Sequence, residues 1–196
     1  EFPPQAHAAD GLVAAYSFNE NAGTTVTDLS GNANNGTIFQ ATWTATSKYG
    51  KALNFDGSND RININDNANG SLDLTTGMTL EAWVRPTITT GWRTVVMKEI
   101  SGELAYTLYS TDPDHSRYPS GWVRLVGTSG GSQYAEGTSI TVANAWNHLA
   151  TTYDGANLKM FVNGVQVRSR PYAGIIMTGD QPLRIGGNAV WGEYFK

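Results

Sequence analysis

The sequence predicts an all-β fold, a two-sheet antiparallel jelly-roll sandwich, and three features of the chain predict it. Short apolar or alternating runs recur along the sequence, and each is bounded by Gly, Asn, Asp, Pro or Ser, the residues that turns favour. An Asn-Gly dipeptide joins two of these runs. No stretch keeps apolar residues at helical spacing over three turns. Many short strands separated by regular turns are typical of sandwiches and jelly rolls.

The apolar runs give the predicted strands in chain order: residues 12–18, 51–55, 61–64, 78–84, 93–98, 105–110, 122–127, 146–153, 158–162, 165–169 and 183–185. The clearest local unit is the pair 158–162 and 165–169, joined by Asn163-Gly164. Asn-Gly adopts the positive φ angles of a type I′ turn, whose twist matches that of the flanking strands. Asp154-Gly155 makes a second turn just before this hairpin. Residues 146–153 should therefore complete a three-stranded antiparallel meander.

Length and composition favour one domain. The chain has 196 residues, of which 40% are hydrophobic and 15% charged, and 22 are glycine. This composition suits short strands and tight turns more than helices. A sandwich of this length commonly folds as a single unit, and no internal repeat divides it. We interpret residues 1–10 as a linker or tag remnant and residues 11–196 as the domain.

Charge and residue types exclude several classes of partner and site. A net charge of −4 and a pI of about 5.3 leave no basic stripe for a nucleic acid. No apolar run reaches the roughly 20 residues of a membrane-spanning helix. The chain has no cysteine, which excludes disulfides, thiolate metal sites and a cysteine nucleophile.

The sequence also argues against an enzyme. Glycoside hydrolysis needs two carboxylates about 5–10 Å apart, and no predicted strand carries acids at i and i+2 or i+4. Glu81 stands alone on the strand 78–84, where it faces opposite to Leu80 and Ala82. Gly127-Thr-Ser-Gly-Gly131 matches the Gly-x-Ser-x-Gly pattern, but no helical pattern follows it, as a nucleophile elbow requires. The members of a Ser/His/Asp triad need only meet in space.

Aromatic and polar residues in or near loops form the candidate ligand surface. Sugar rings stack on apolar faces, and a few well-placed polar groups bind their hydroxyls. The loop candidates are Trp92, Arg93, Tyr109, Arg117, Tyr118, Trp122, Trp191 and Tyr194, with Lys98 and Glu99 at a strand end to add hydrogen bonds. Trp83 and Trp146 lie within periodic strands, and we interpret them as core. Two alternatives stay open, since Trp122 suits either the core or the ligand surface, and Trp191 covers either the core or a ligand.

Several segments share their order and spacing with one family. They are Gly11-Leu-Val-Ala-Ala-Tyr-Ser-Phe18, Asp28-Leu-Ser-Gly-Asn-Ala-Asn-Asn-Gly-Thr37, Ala52-Leu-Asn-Phe-Asp-Gly57, Thr79-Leu-Glu-Ala-Trp-Val84, Trp146-Asn-His-Leu-Ala150, Phe161-Val-Asn-Gly164 and Leu183-Arg-Ile-Gly-Gly187. Together they make the chain from residue 11 onward resemble a bacterial laminin-G-like (concanavalin A-like) domain. The resemblance implies a secreted, non-catalytic module that binds carbohydrate. It is also compatible with a protein-interaction or adhesion module and with a spacer.

One segment departs from the family. Domains similar to this one usually continue past a segment like residues 191–196 into a final strand, which pairs beside the first strand, here residues 12–18. The resemblance therefore implies that the C-terminal strand is missing, which would leave a sheet edge uncovered. We expect a second polypeptide or a neighbouring copy to supply that strand.

An oxygen-rich loop, residues 28–37, is a candidate metal site. Calcium binds about six to eight oxygens from carboxylates, amides and backbone carbonyls. From the residues alone, an Asx-rich turn without metal is favoured. The family resemblance implies instead a structural calcium, held by the side chains of Asp28 and Asn34 and the carbonyls of Gly31 and Thr37, and weakened by the missing strand. A second acidic loop, residues 56–60, is interpreted as a hairpin turn.

Overall fold

The structure, a computed structural model, describes residues 11–196, and the predicted linker 1–10 lies outside the described residues. The strands are β1 (Thr25–Val26), β2 (Gly36–Phe39), β3 (Thr42–Thr44), β4 (Ala52–Asn54), β5 (Arg61–Ile64), β6 (Met78–Val84), β7 (Arg93–Ile100), β8 (Glu103–Asp112), β9 (Tyr118–Val123), β10 (Gln133–Glu136), β11 (Asn147–Tyr153), β12 (Asn157–Val162), β13 (Val165–Pro171) and β14 (Leu183–Ile185). A short 3₁₀ helix, Pro113–His115, follows β8. Within residues 11–196, no helix is long and apolar enough to cross a membrane.

The strands form a two-layered sandwich with a small hairpin beside it. The large sheet has eight strands in the order β1-β2-β5-β14-β7-β8-β9-β10, and the small sheet has four in the order β13-β12-β11-β6. β3 and β4 pair with each other in a separate two-stranded sheet. Every strand pairing is antiparallel. The predicted all-β antiparallel sandwich is confirmed.

The predicted meander is also present. β12 and β13 are joined by Asn163 and Gly164, whose φ angles are 51° and 80°. Asn163 donates its backbone N–H to the carbonyl of His148 and accepts the N–H of His148 on its side chain. The turn is thereby tied to β11, which runs antiparallel to β12.

The main hydrophobic core lies between the two sheets. The large sheet contributes Leu108 and Val123, and the small sheet contributes Leu149, all fully buried. Gly121 marks a close approach of the sheets, because a Cβ at this position would lie 2.4 Å from the Cβ of Thr151 on β11. Only glycine therefore fits on the inward face of β9 at this point.

β8 is buried on both of its faces. Every residue of β8 after Glu103 is buried. Tyr106 and Leu108 join the core between the sheets, whereas Leu104 and Tyr109 form a second apolar cluster on the other face. β8 therefore gives the outer face of the large sheet a rigid base.

Several strand bounds differ from the prediction. β5, β6 and β14 have the predicted bounds, but the strand predicted at 122–127 runs from Tyr118 to Val123. β1, β2, β3 and β10 were not predicted from the sequence. Pro119 and Gly121 have low strand propensity, so the local sequence does not predict the first part of β9. Pairing with β8 on one side and β10 on the other overrides that propensity.

Residues 12–18 are not a strand in the structure, contrary to the prediction. The segment packs against the core through Tyr16 and Phe18. The N–H of Ala15 donates to the carboxylate of Asp28, and the carbonyl of Ala15 accepts another backbone hydrogen bond. These bonds hold the segment without a strand ladder. Among the described strands, β6 pairs with β11 alone.

Gly121→Ala is expected to destabilise the fold, because its methyl group would overlap the side chain of Thr151. Overpacking of this kind typically costs about 1–3 kcal/mol. Gly130→Ala is the matched control, since a Cβ at Gly130 meets nothing within 4 Å. Urea unfolding monitored by tryptophan fluorescence measures both variants. Equal stability of the two would show that the sheets are not closely apposed at β9.

Candidate functional site

A shallow depression lies on the outer face of the large sheet, over β8 and β9. Its volume is about 230 Å³, and it is lined by Trp92, Glu103, Leu104, Tyr109, Trp122, Ser132, Trp191 and Glu193. Trp92 and Trp122 pack on the apolar cluster that covers this face of β8. The floor of the depression therefore rests on paired strands, while loop residues form its rim.

Strand alternation places aromatic rings on this face. On β9, Gly121 points toward the small sheet, so Ser120 and Trp122 point away from it. Tyr109 on β8 is paired with Ser120, and Tyr134 on β10 is paired with Trp122. Paired residues on neighbouring strands share a face. Three strands thus bring three rings to one surface.

The rings pack closely on one another. We call Trp92, Tyr109, His115, Trp122 and Tyr134 the aromatic platform. The ring centroid of Trp122 lies 4.8 Å from that of Tyr134 and 5.9 Å from that of Trp92. Trp92 lies 4.8 Å from Tyr109, and His115 lies 3.9 Å from Tyr134. Contacts of this kind between aromatic rings are favourable, so the platform is preformed.

A buried carboxylate fixes the orientation of Trp122. Asp112 is fully buried and accepts hydrogen bonds from the hydroxyl of Ser120 and from Nδ1 of His115, each at 2.8 Å. The indole Nε1–H of Trp122 donates to the hydroxyl oxygen of Ser120 at 2.9 Å. The only donor of the indole is therefore used within the protein. Trp122 offers a ligand its ring face and no hydrogen bond.

Glu193 is held in the depression by two donors. Its Oε2 accepts hydrogen bonds from the hydroxyl of Tyr109 at 2.9 Å and from Nδ2 of Asn188 at 2.7 Å. Burial raises the pKa of Glu193, the charges of Asp112 and Asp114 raise it further, and the two hydrogen bonds oppose the rise. Burial also raises the pKa of Tyr109 well above 10. The Tyr109 hydroxyl therefore stays a donor at neutral pH.

An ion pair closes the edge of the sandwich beside the platform. Arg170 on β13 places its guanidinium carbon 4.9 Å from the ring centroid of Tyr134. It forms a bidentate pair with Glu136 on β10, with N–O distances of 2.8 and 3.1 Å. Burial alone would raise the pKa of Glu136, but the hydrogen bonds from Arg170 outweigh it and lower the pKa. The pair links edge strands of the two sheets, and Arg168 on β13 also contacts Glu136, at 3.0 Å.

The structure brings four of the sequence-predicted ligand residues together in the depression: Trp92, Tyr109, Trp122 and Trp191. Trp191 lies at the rim with 47% of its surface exposed. Trp122 is half-buried and packs on the outer cluster of β8. Both residues therefore lie on the outer face of the large sheet, where Trp122 also covers a buried apolar cluster. Ligand binding by these residues stays a prediction.

Lys98 and Glu99 are not part of this surface, and we correct their assignment. Both side chains are buried. The Nζ of Lys98 pairs with Asp66 at 3.1 Å and donates to two backbone carbonyls. Glu99 pairs with Arg184 and accepts a backbone N–H. These contacts attach β7 to β14, to the loops that flank β14 and to the segment after β5, so neither group is free to contact a ligand.

The remaining polar and aromatic candidates also lie outside the lining of the depression. Arg93 donates to the carbonyls of Thr90 and Tyr194. Arg117 is exposed in the turn that follows the 3₁₀ helix, with a φ of 63°. Tyr118 begins β9. Arg93 thus supports the rim through the backbone, while Arg117 is left in solvent.

Three residues in or beside the depression were not predicted from the sequence as ligand-site residues. Tyr134 lies on β10, whose four residues, Gln-Tyr-Ala-Glu, do not alternate and contain one buried position, too weak a signal to predict a strand. Glu103 follows a turn and looks like a solvated acid. Glu193 carries no local signal, because its partners Tyr109 and Asn188 meet it through the tertiary fold.

Trp83 is not a core residue, contrary to our interpretation of the sequence. It is 39% exposed on the outer face of the small sheet, beside Glu81, which is exposed as predicted. Its ring centroid lies 5.1 Å from that of His148, and Nζ of Lys48 lies 4.6 Å from it. Trp146 is half-buried. The alternation that points Glu81 outward applies equally to Trp83.

The oxygen-rich loop 28–37 is satisfied by donors from the protein. Asp28 is buried, and its two carboxylate oxygens accept hydrogen bonds from the N–H groups of Ala15, Ser30 and Asn34 and from the hydroxyl of Ser30. The side-chain oxygen of Asn34 accepts hydrogen bonds from two further side chains. The loop therefore closes as a hydrogen-bonded turn.

As placed, the predicted calcium ligands do not fit a cation. Protein donors point at both oxygens of Asp28, where a metal would need free lone pairs. Thr37 lies within β2, paired on both sides with neighbouring strands, and Gly31 adopts a φ of 93° in the turn. Within residues 11–196, no group of three or more His, Asp or Glu could hold a metal ion. Calcium binding stays a prediction of the family resemblance, and the contacts agree better with the Asx-rich turn.

Comparison with known proteins gives a family and several structural neighbours. The family model described as the concanavalin A-like lectin/glucanases superfamily matches residues 56–196. No curated protein matches the sequence. Domain 4 of AbnA, an extracellular GH43 arabinanase from Geobacillus stearothermophilus solved with arabinotriose, has a TM-score of 0.71 at 24% identity. That match covers 94% of this chain and 87% of the other.

Two further neighbours are more distant. The CBM40 of the Ruminococcus gnavus IT-sialidase, bound to α2,3 sialyllactose, has a TM-score of 0.51 at 14% identity and covers 64% of this chain and 75% of the other. The Trypanosoma rangeli sialidase in complex with the inhibitor DANA has a TM-score of 0.57 at 12% identity and covers 90% of this chain and 28% of the other. At these identities the likenesses show the fold.

Asp28→Asn is expected to destabilise the protein by about 1–3 kcal/mol at neutral pH, because an amide N–H₂ would face backbone donors. The drop in Tm should be the same in calcium chloride and in EDTA. Hydrogen bonds from Ser30, Ala15 and Asn34 outweigh the effect of burial and hold the pKa of Asp28 below 3.8. The stability that ionised Asp28 contributes is therefore complete at neutral pH and lost as pH falls through this lowered pKa. A wild-type Tm that rises with calcium and falls with EDTA would instead support calcium binding by this loop.

Proposed function

Because the chain belongs to the concanavalin A-like lectin/glucanase superfamily, we propose that it is a non-catalytic carbohydrate-binding module of a secreted protein, with the depression as its sugar site. One observation carries the proposal. Trp92, Trp122 and Trp191 line a single open depression together with Glu103 and Glu193. Indole faces stack on the apolar faces of sugar rings, and carboxylates accept hydrogen bonds from sugar hydroxyls.

The platform is organised before a ligand arrives. Trp122 is held by Ser120, which is held in turn by buried Asp112. A side chain that is already ordered loses little conformational entropy on binding, so more of its contact energy remains as affinity. This arrangement suits recognition by stacking on a fixed surface.

The structural neighbours support the proposal at the level of the fold. One neighbour is solved with arabinotriose and another with sialyllactose, so this architecture carries sugar sites in other proteins. The arabinanase is described as extracellular, which supports a secreted parent for this chain. A shared fold alone does not fix a function, and the aromatic lining of the depression supplies the local argument.

Glycosidases also place two carboxylates at a sugar site, so the protein must be tested for glycan hydrolysis as well as for glycan binding. In this depression, Oε2 of Glu193 already accepts two hydrogen bonds, from Tyr109 and Asn188. Glu103 accepts the N–H of Leu104. Both carboxylates therefore have structural partners, which favours binding over proton transfer.

Trp122→Ala is expected to weaken glycan binding at least about tenfold, since truncating a central aromatic residue of a binding site commonly costs about 2 kcal/mol or more. Binding is found on a glycan array and quantified by isothermal titration calorimetry. Trp83→Ala is the matched control, because Trp83 is exposed on the outer face of the small sheet, and it should leave the affinity unchanged.

Two results would contradict the proposal. Wild-type protein that binds no glycan, or a Trp122→Ala variant that melts like wild type and binds equally well, would remove the depression as the sugar site. Release of reducing ends from a bound polysaccharide would show that the protein is an enzyme and not a non-catalytic binding module.

A second candidate function, protein interaction, rests on the free side of β6. β6 pairs with β11 alone among the described strands. Beside it lies a cleft of about 240 Å³ whose apolar lining includes Phe18, Ala82, Val84 and Phe195. An open strand edge next to an apolar cleft can accept an added strand. We propose a neighbouring copy as the source of that strand.

Self-association through β6 should depend on protein concentration. Analytical ultracentrifugation is expected to show dimers at high concentration, together with slowed hydrogen exchange at the amides of residues 78–84. Exchange in β11, which is paired on both sides, serves as the internal control. A monomer at every concentration, with fast exchange at alternate amides of β6, would dismiss this candidate.

A further inference from the structure

The depression has an unbalanced charge. Of the residues that line it, only Glu103 and Glu193 carry a charge, and both are acids. No lysine or arginine of the described chain lies in the lining. The depression therefore combines aromatic walls with negative groups.

Further acids lie around this lining. Asp112 is fully buried beneath the platform, hydrogen-bonded with Ser120 and His115. Its charge and that of Asp114 both act on Glu193 and, together with burial, raise the pKa of Glu193. These two acids therefore add negative charge next to the two carboxylates of the lining.

Two of the cations near the platform, Arg170 and Arg93, are already paired or bonded. Arg170 is held against Glu136 by two side-chain hydrogen bonds. The guanidinium of Arg93 donates to two backbone carbonyls, those of Thr90 and Tyr194. Arranged in this way, neither guanidinium is turned toward a ligand in the depression. An anionic group that enters would meet two carboxylates and no cation within the lining.

We propose that this depression binds glycans without negative charge and rejects those that carry carboxylates or sulfates. The inference rests on the proposed function and adds a substrate class to it. Neutral sugars present hydroxyl donors, which the carboxylate oxygens accept, and Oε1 of Glu193 is free for this role because its two side-chain donors bind Oε2. A carboxylate or sulfate on the sugar would lose part of its hydration and gain only like-charge repulsion.

The test compares matched sugars that differ in charge. The methyl ester of sialyllactose is compared with sialyllactose, and methyl-esterified polygalacturonate with polygalacturonate, by isothermal titration calorimetry and affinity electrophoresis at low salt. The wild type is measured beside the double variant Glu103→Gln/Glu193→Gln, which keeps the size of both side chains and the hydrogen-bond acceptor for Tyr109 and Asn188. Glu81→Gln is the control, since Glu81 is an exposed acid on the outer face of the small sheet.

For each pair in which the neutral sugar binds, the wild type should bind it at least about tenfold more tightly than its acidic counterpart, since like charges repel at short range. The double variant should reduce this difference, added salt should reduce it in the wild type, and Glu81→Gln should leave it unchanged. Equal or tighter binding of the acidic sugars would overturn the inference while leaving the sugar site in place. A wild type that binds neither class would overturn the proposed function as well.

Discussion

The structure depends on the burial of β8 from both sides. One face of this strand packs between the sheets through Tyr106 and Leu108, and the other carries Leu104 and Tyr109 under the aromatic platform. A strand covered on both faces cannot shift its register without exposing apolar side chains on one of them. The fold and the candidate sugar site are therefore stabilised by the same strand, and the floor of the site is as rigid as the core beneath it.

The chemistry of the site follows from this double role. Because the outer face of β8 and β9 is largely covered by rings, polar groups there must find partners within the protein. Asp112 accepts a hydrogen bond from the hydroxyl of Ser120, and this hydroxyl accepts one from the indole N–H of Trp122. These bonds leave ring faces and carboxylate oxygens as the groups that remain for a ligand, which favours stacking and hydroxyl recognition.

How much the sequence could predict depends on how local each signal is. The Asn163-Gly164 hairpin is encoded by adjacent residues, and the sequence predicts its turn and both of its strands but not the register shift between Met160 and Phe161. Strand alternation could have placed Trp83 on the surface, because the same pattern placed Glu81 there. The burial of Lys98 could not be predicted from the sequence, because Asp66 and the carbonyls that bind its Nζ come from distant segments. Tyr134 joins the site only through its pairing with Trp122.

Six tryptophans report on where a sugar binds, and their indole N–H signals in a ¹H–¹⁵N NMR titration test the account directly. With a glycan that binds, the signals of Trp92, Trp122 and Trp191, which line the depression, are predicted to shift together in a saturable manner. The signals of Trp43, Trp83 and Trp146, which lie outside that lining, should stay in place. Shifts confined to this second set would contradict the assignment of the aromatic depression as the carbohydrate site.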